Sequence, residues 1–161
     1  MRFHLIDRIE EIRHGHHIVG VKCVSLSDDV FGEHFPGHPI FPGTLVLEGM
    51  AQLAGSFFEM TMLHQGQEPR HCILAMANRV KWSKPAEPGD RMIYRADILS
   101  FSEEFGVART RAEIDGETSA SAELTFTFVK LGDGTLRANR EELYRMCTRR
   151  TRFLDDGDGA V

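Results

Sequence analysis

The chain has 161 residues, 42% of them hydrophobic and 27% charged, with a formal net charge of −5. That length and balance fit one globular domain with a real core and leave no room for two. The negative charge argues against general nucleic-acid binding, which draws on counterion release by a basic surface. No apolar run approaches the roughly 20 residues that span a bilayer, and the N-terminal MRFHLIDRIEE lacks a signal-peptide apolar core, so a cytoplasmic protein without membrane insertion is expected.

In chain order, residues 3–13 alternate loosely with Phe3, Leu5, Ile9 and Ile12 inward, Gly15 offers a turn, and residues 17–26 read as a partner strand. His14, His16 and His17 flank that glycine, but a hairpin tip with no cysteine or acid ligand nearby is a poor metal site. Cys23, Cys72 and Cys147 are an odd number at wide spacing, so they are expected to be reduced, with no metal.

Asp28-Asp29 opens a loop that leads into HFPGHPIFPGTLVLEGMAQLAG, residues 34–55. The pair Pro42-Gly43 precedes a long proline-free run, so a helix is expected from about Thr44 to His64. Its apolar residues, among them Leu45, Met50, Leu53, Phe57 and Phe58, distribute around nearly the whole circumference, which marks a helix enclosed by other structure. Gly49, Ala51, Ala54 and Gly55 would let a backbone or ligand approach closely. Glu48 is the only acid in the first fifteen residues of this helix. Either it lies on an exposed stripe with Thr44 and Gln52, or it is desolvated and holds a proton for donation near neutral pH. His34, in the preceding Gly/Pro-rich loop, favours the second reading. The N–H groups of Gly43 and Thr44 at the helix start could polarise a carbonyl oxygen. Base, acid and N–H donors together suit proton removal next to a carbonyl.

After the breaker segment Gln65–Pro69, strands are expected over about 72–83, 91–102, 105–114 and 118–130, with Asp115-Gly116 as a hairpin turn. Trp82 reads as a packing residue. Arg79, Lys81 and Lys84 form one basic cluster, and Arg145, Arg149, Arg150 and Arg152 another; each is an ordinary solvated face unless an acidic partner docks there. Leu131–Gly134 reads as a turn, Asn139 as the cap of a helix over about 139–150, and residues 153–161 as a disordered tail, leaving a single domain over 1–152. Two strands, one long apolar helix and four more strands give an α+β fold, an antiparallel sheet wrapped around a central helix.

The segment His34–Gly43, followed by Leu45-Val46-Leu47-Glu48-Gly49-Met50-Ala51-Gln52, closely resembles the signature of FabZ-type β-hydroxyacyl-acyl carrier protein dehydratases. The match extends upstream to Leu5-Ile6-Asp7-Arg8 and downstream to Lys84–Asp90, and Pro36 and Glu48 favour FabZ over its FabA sister. The resemblance implies a hot-dog fold and a dehydratase in fatty acid, polyketide or aryl-polyene biosynthesis. It implies His34 as the base at C2, Glu48 as the acid at the 3-hydroxyl, and substrate binding by Gly43, Thr44, Gln52, Phe35 and Pro42. No cofactor is expected. An acidic acyl carrier protein would dock on Arg79, Lys81 and Lys84, and the enzyme would be a homodimer or a trimer of dimers. Relative to the family the chain starts almost at Leu5, so the usual N-terminal helix over the acyl tunnel is expected to be missing. A hot-dog thioesterase and a non-catalytic hot-dog assembly subunit are the alternatives.

Overall fold

A computed structural model describes residues 3–68, 70–130 and 134–154. Strands β1 (Arg8–Arg13) and β2 (His17–Cys23) form a hairpin, a short 3-10 turn spans Asp29–Gly32, and helix α1 covers Gly43–His64. Strands β3 (His71–Trp82), β4 (Arg91–Phe101), β5 (Phe105–Ile114) and β6 (Glu117–Val129) follow, then helix α2 (Gly134–Cys147) and the two-residue strand β7 (Arg152–Phe153). All seven strands join one sheet in the order β3-β6-β5-β4-β2-β1-β7, antiparallel except for the β1–β7 pair. This is the expected hot-dog arrangement. None of the described helices is long and apolar enough to cross a membrane.

The sheet curls around α1 with small residues at several inward positions of its central strands, beside the larger Met92, Tyr94 and Leu124. Ala96, Ala108, Ala112, Ala120 and Ala122 are all buried, and Thr110 satisfies its hydroxyl on the Ala122 carbonyl at 3.1 Å. The helix supplies the bulk in return, with Met50, Leu53, Phe57 and Phe58 almost wholly buried. Each such side chain contributes about 1.5–3 kcal/mol by leaving water. Phe58 sits 5.4 Å from Phe128 and 5.7 Å from Phe101 and Phe126, centroid to centroid. The Asp115-Gly116 turn has φ of 53° and 80°, the two positive values that a type I′ hairpin requires.

The C-terminal region departs from expectation. Helix α2 begins at Gly134 and ends at Cys147, so Asn139 lies within it rather than capping it, and Thr148 N–H closes the last turn on the Tyr144 carbonyl at 2.9 Å. Residues 131–133 of the expected turn lie outside the described residues, as do 155–161 of the expected tail. Phe153 itself is paired, because β7 runs alongside Glu11 and Ile12. Helix α2 reaches the rest of the fold through side chains: Arg140 and Tyr144 bond Glu59 of α1, and the Cys147 thiol lies 3.8 Å from the Ile6 carbonyl.

Candidate active site

His34 closes the 3-10 turn, its N–H donating to the Val30 carbonyl at 3.0 Å, while its own carbonyl accepts from Ile40 N–H at 3.0 Å. The loop His34–Ile40 is thereby drawn into a ring. Within it, His34 Nδ1 lies 2.7 Å from the Ile40 carbonyl oxygen. A carbonyl can only accept, so Nδ1 carries the hydrogen, and in the neutral ring the lone pair is then on Nε2. Phe35 stacks on the imidazole at 4.3 Å and is half exposed.

Pro42 precedes the first helical residue with φ −58° and ψ 128°, and its carbonyl takes the Leu45 and Val46 N–H groups. The N–H groups of Gly43 and Thr44 are not used by the helix's own ladder, and Thr44 is exposed. Gly43 is covered by Trp82: the indole N–H donates to the Gly43 carbonyl at 2.8 Å, and a Cβ on Gly43 would lie 2.7 Å from that nitrogen. Trp82 is therefore a packing residue as expected, but one that packs on the helix start. These groups border a pocket of ≈ 350 Å³ that includes Ile40, Gly43, Trp82 and Lys84.

Glu48 and Gln52 lie one turn further along α1, both half-buried. Gln52 Nε2 donates to Glu48 Oε1 at 3.0 Å and to the Phe3 carbonyl at 3.2 Å, while its Oε1 accepts Leu5 N–H at 2.9 Å. The amide thus ties the carboxyl group to the N-terminal segment and fixes its direction. Glu48 opens into a second pocket, of ≈ 390 Å³, whose lining does not include His34. Within one chain, the structure joins Glu48 to Gln52 and His34 to Phe35 and Ile40, and neither of these two pockets is lined by both His34 and Glu48.

Arg79 and Lys81 lie on β3, the exposed edge of the sheet, with Arg79 3.7 Å from Glu123. Lys84, beside the Gly43 pocket, is bonded to Glu117 at 3.0 Å, and that hydrogen bond raises its pKa. The hairpin histidines serve local packing: His17 bonds Glu11 at 2.7 Å and His14 stacks on His64 at 4.1 Å. Sequence reasoning passed over Glu59, the one acid buried among the described residues. Its spacing of eleven residues from Glu48 puts it three turns along the same helix face, a signal that could have found it.

The FabA-like domain profile matches residues 1–123. The 3-hydroxyacyl-acyl-carrier-protein dehydratase FabZ of Campylobacter curvus is 40% identical over 125 residues, covering 76% of this chain and 84% of that one. The enzyme of the same name from Sulfurimonas denitrificans is 35% identical over the same shares. Among solved structures, the dehydratase heterocomplex ApeI:P from Xenorhabdus doucetiae superposes with a TM-score of 0.67 at 16% identity, covering 85% of this chain and 90% of that one. The thioesterase HI1161 from Haemophilus influenzae superposes with a TM-score of 0.58 at 12% identity, covering 74% and 76%. At these identities the two structures show the shared fold alone. With most of its length matched by the family profile and by relatives at this level of identity, the chain belongs to the FabA-like family, alongside the FabZ dehydratases.

Proposed function

We propose that this chain is a (3R)-hydroxyacyl-acyl carrier protein dehydratase. The observation that carries the reading is the anchored base, His34 with Nδ1 held on the Ile40 carbonyl at 2.7 Å. Nε2 takes the C2 proton of the thioester, and Glu48 gives its proton to the 3-hydroxyl. The C3–O bond breaks, water leaves, and the trans-2-enoyl thioester remains. The N–H of Gly43, with Thr44 beside it, holds the thioester oxygen as charge collects there. Phe35 and Pro42 shape the loop against the substrate, and Gln52 keeps Glu48 on line. The scheme needs a proton acceptor at His34 and a proton donor at Glu48 in the same site.

Edge strand β3 supports a site shared between two copies. It exposes Ile73, Leu74, Met76 and Trp82, an apolar row with unpaired backbone that a second β3 would cover. Gly43 packs at the Trp82 end of this strand, and at the other end a Cβ added to Gly55 would stand 3.7 Å from Cys72. Antiparallel pairing about the middle of β3 sets the Trp82 end of one copy opposite the His71 end of the other. The Gly43 and His34 end of one copy then faces the Glu48 pocket of the other. The carrier protein docks beside this mouth, on Lys84 with Arg79 and Lys81.

The test is an assay of 3-hydroxyacyl substrates, on carrier protein and on free pantetheine, following water loss and thioester loss separately. Folded His34→Ala and Glu48→Gln proteins are expected to lose about 10²- to 10⁴-fold in dehydration. Charge reversal at Lys84 is expected to raise KM for the carrier-protein substrate more than for the pantetheine one, and added salt to do the same. Thioester loss without an enoyl product would replace the dehydratase reading with the thioesterase one. Equal KM changes for both substrates would remove the docking surface.

A further inference from the structure

Glu59 plays no part in the dehydration scheme, yet it is only 5% exposed. Its Oε1 accepts the Cys72 N–H at 3.2 Å and the Arg140 guanidinium, and its Oε2 accepts the Tyr144 hydroxyl at 2.6 Å. Arg140 and Tyr144 are four residues apart on α2, beyond residue 123 where the family match ends. Such a carboxylate, taken out of water, is held by these donors, and stripping one away leaves a buried charge short of a partner.

The cluster lies in the same pocket as the proposed acid. Glu48, Gln52, Ser56 and Glu59 form one stripe along α1, and the ≈ 390 Å³ pocket is lined by Glu48, Gln52 and Ser56 as well as by Glu59, Arg140 and Tyr144. Between the two acids its walls are small or apolar: Ala51, Gly55, Leu74 and Phe126. A Cβ at Gly55 would fill the space beside Phe126 and Cys72 at ordinary contact distances of 3.5 and 3.7 Å, so the glycine leaves that space to the pocket.

We infer that this pocket takes the acyl tail of the thioester and that the Glu59–Arg140–Tyr144 cluster is its floor, making the chain selective for tails of medium length. The position of C3 beside Glu48 rests on the dehydratase reading. From Glu48 to Glu59 the helix rises about 16 Å, and its last turn, about 5 Å, is filled by the Arg140 and Tyr144 side chains. The remainder takes about nine extended methylenes past C3, or an acyl group of about twelve carbons. A longer tail would have to enter the ion cluster and separate Glu59 from its donors.

The test is a calorimetric titration of the full chain with saturated S-alkyl-pantetheine thioethers, which cannot react, in a series running from well below to well above twelve carbons. Wild-type affinity is expected to rise about four-fold per added methylene up to that limit and then to fall. In Tyr144→Ala the optimum is expected to move to longer tails. Tyr144→Leu, which keeps apolar volume against Leu143 and Phe126, is the second variant if the first does not melt cooperatively, and the same direction of shift is expected. An affinity that climbs without limit in the wild type, one with no length dependence, or an optimum that stays fixed in the folded variants, overturns the assignment. The same lengths are assayed for water loss. A length optimum that moves as expected with no dehydration at any length supports the pocket assignment and overturns the dehydratase reading instead.

Discussion

Gly43 is confined from outside the helix. Its carbonyl accepts the Trp82 indole N–H, and the indole occupies the space where a Cβ would stand. Gly43→Ala therefore sets a methyl group against the ring, and the helix start, with the Gly43 N–H proposed to hold the substrate oxygen, has to shift to relieve it. Turnover is expected to fall about 10²-fold, the scale of losing one such donor, with a smaller change in KM; steady-state kinetics on the folded variant checks this, and wild-type turnover would remove Gly43 from the site. Several of these residues were legible in the sequence. Glu48 stood out because it was the first acid in an apolar helix, and His34 because a Gly/Pro-rich loop held it just ahead of that helix. The Trp82 contact was not legible, because it joins residues 39 apart through a strand whose path the sequence does not specify. Glu59 escaped because an acid between Phe58 and Met60 reads as an interruption until Arg140, 81 residues later, is seen beside it.

At the scale of elements, β3 is the least protected. It has twelve residues, stands at the edge of the sheet and turns Ile73 and Met76 more than half outward. If two copies pair through β3 as proposed, introducing a charge there, as in Met76→Lys, is expected to shift the protein from dimer to monomer in analytical ultracentrifugation and to abolish dehydration along with it. A monomer with full activity would show that one chain builds a complete site. The strands themselves were readable from alternation, most clearly in β5 and β6, where burial follows every second residue. Helix α1 was readable from its length and the Pro42-Gly43 start. Helix α2 was misplaced because its boundaries depend on tertiary partners: Leu143, Tyr144 and Cys147 anchor it on the core. The strand β7 could not be foreseen, since two residues carry no pattern and gain their place by pairing with β1.

For the molecule as a whole, three histidines set a pH dependence of stability. His4, His14 and His71 all have lowered pKa values, in each case through burial first, with His64 adding at His14 and Arg140 at His71 against the opposing charge of Glu59. The unfolded chain, with histidines near 6.5, binds protons that the folded chain resists, so stability is full above that value and declines as pH falls below it. Glu11, lowered by its hydrogen bond from His17 and by Arg152 against a burial cost, extends the loss below about 4.5. Urea midpoints are expected to fall steadily from about pH 7 to about pH 5; a flat or rising series would contradict the assignment. The separation of His34 from the Glu48 pocket gives the whole assembly its sharpest test. Mixing inactive His34→Ala and Glu48→Gln chains by co-expression lets dimers form at random. If the base of one copy works with the acid of the other, half the dimers are mixed and each holds one intact pair and one doubly defective pair. Activity is then expected to return to about a quarter of the wild-type level. If each chain supplies both groups to its own site, every site in the mixture lacks one of them, and heterodimers verified by mass spectrometry would remain as inactive as their parents.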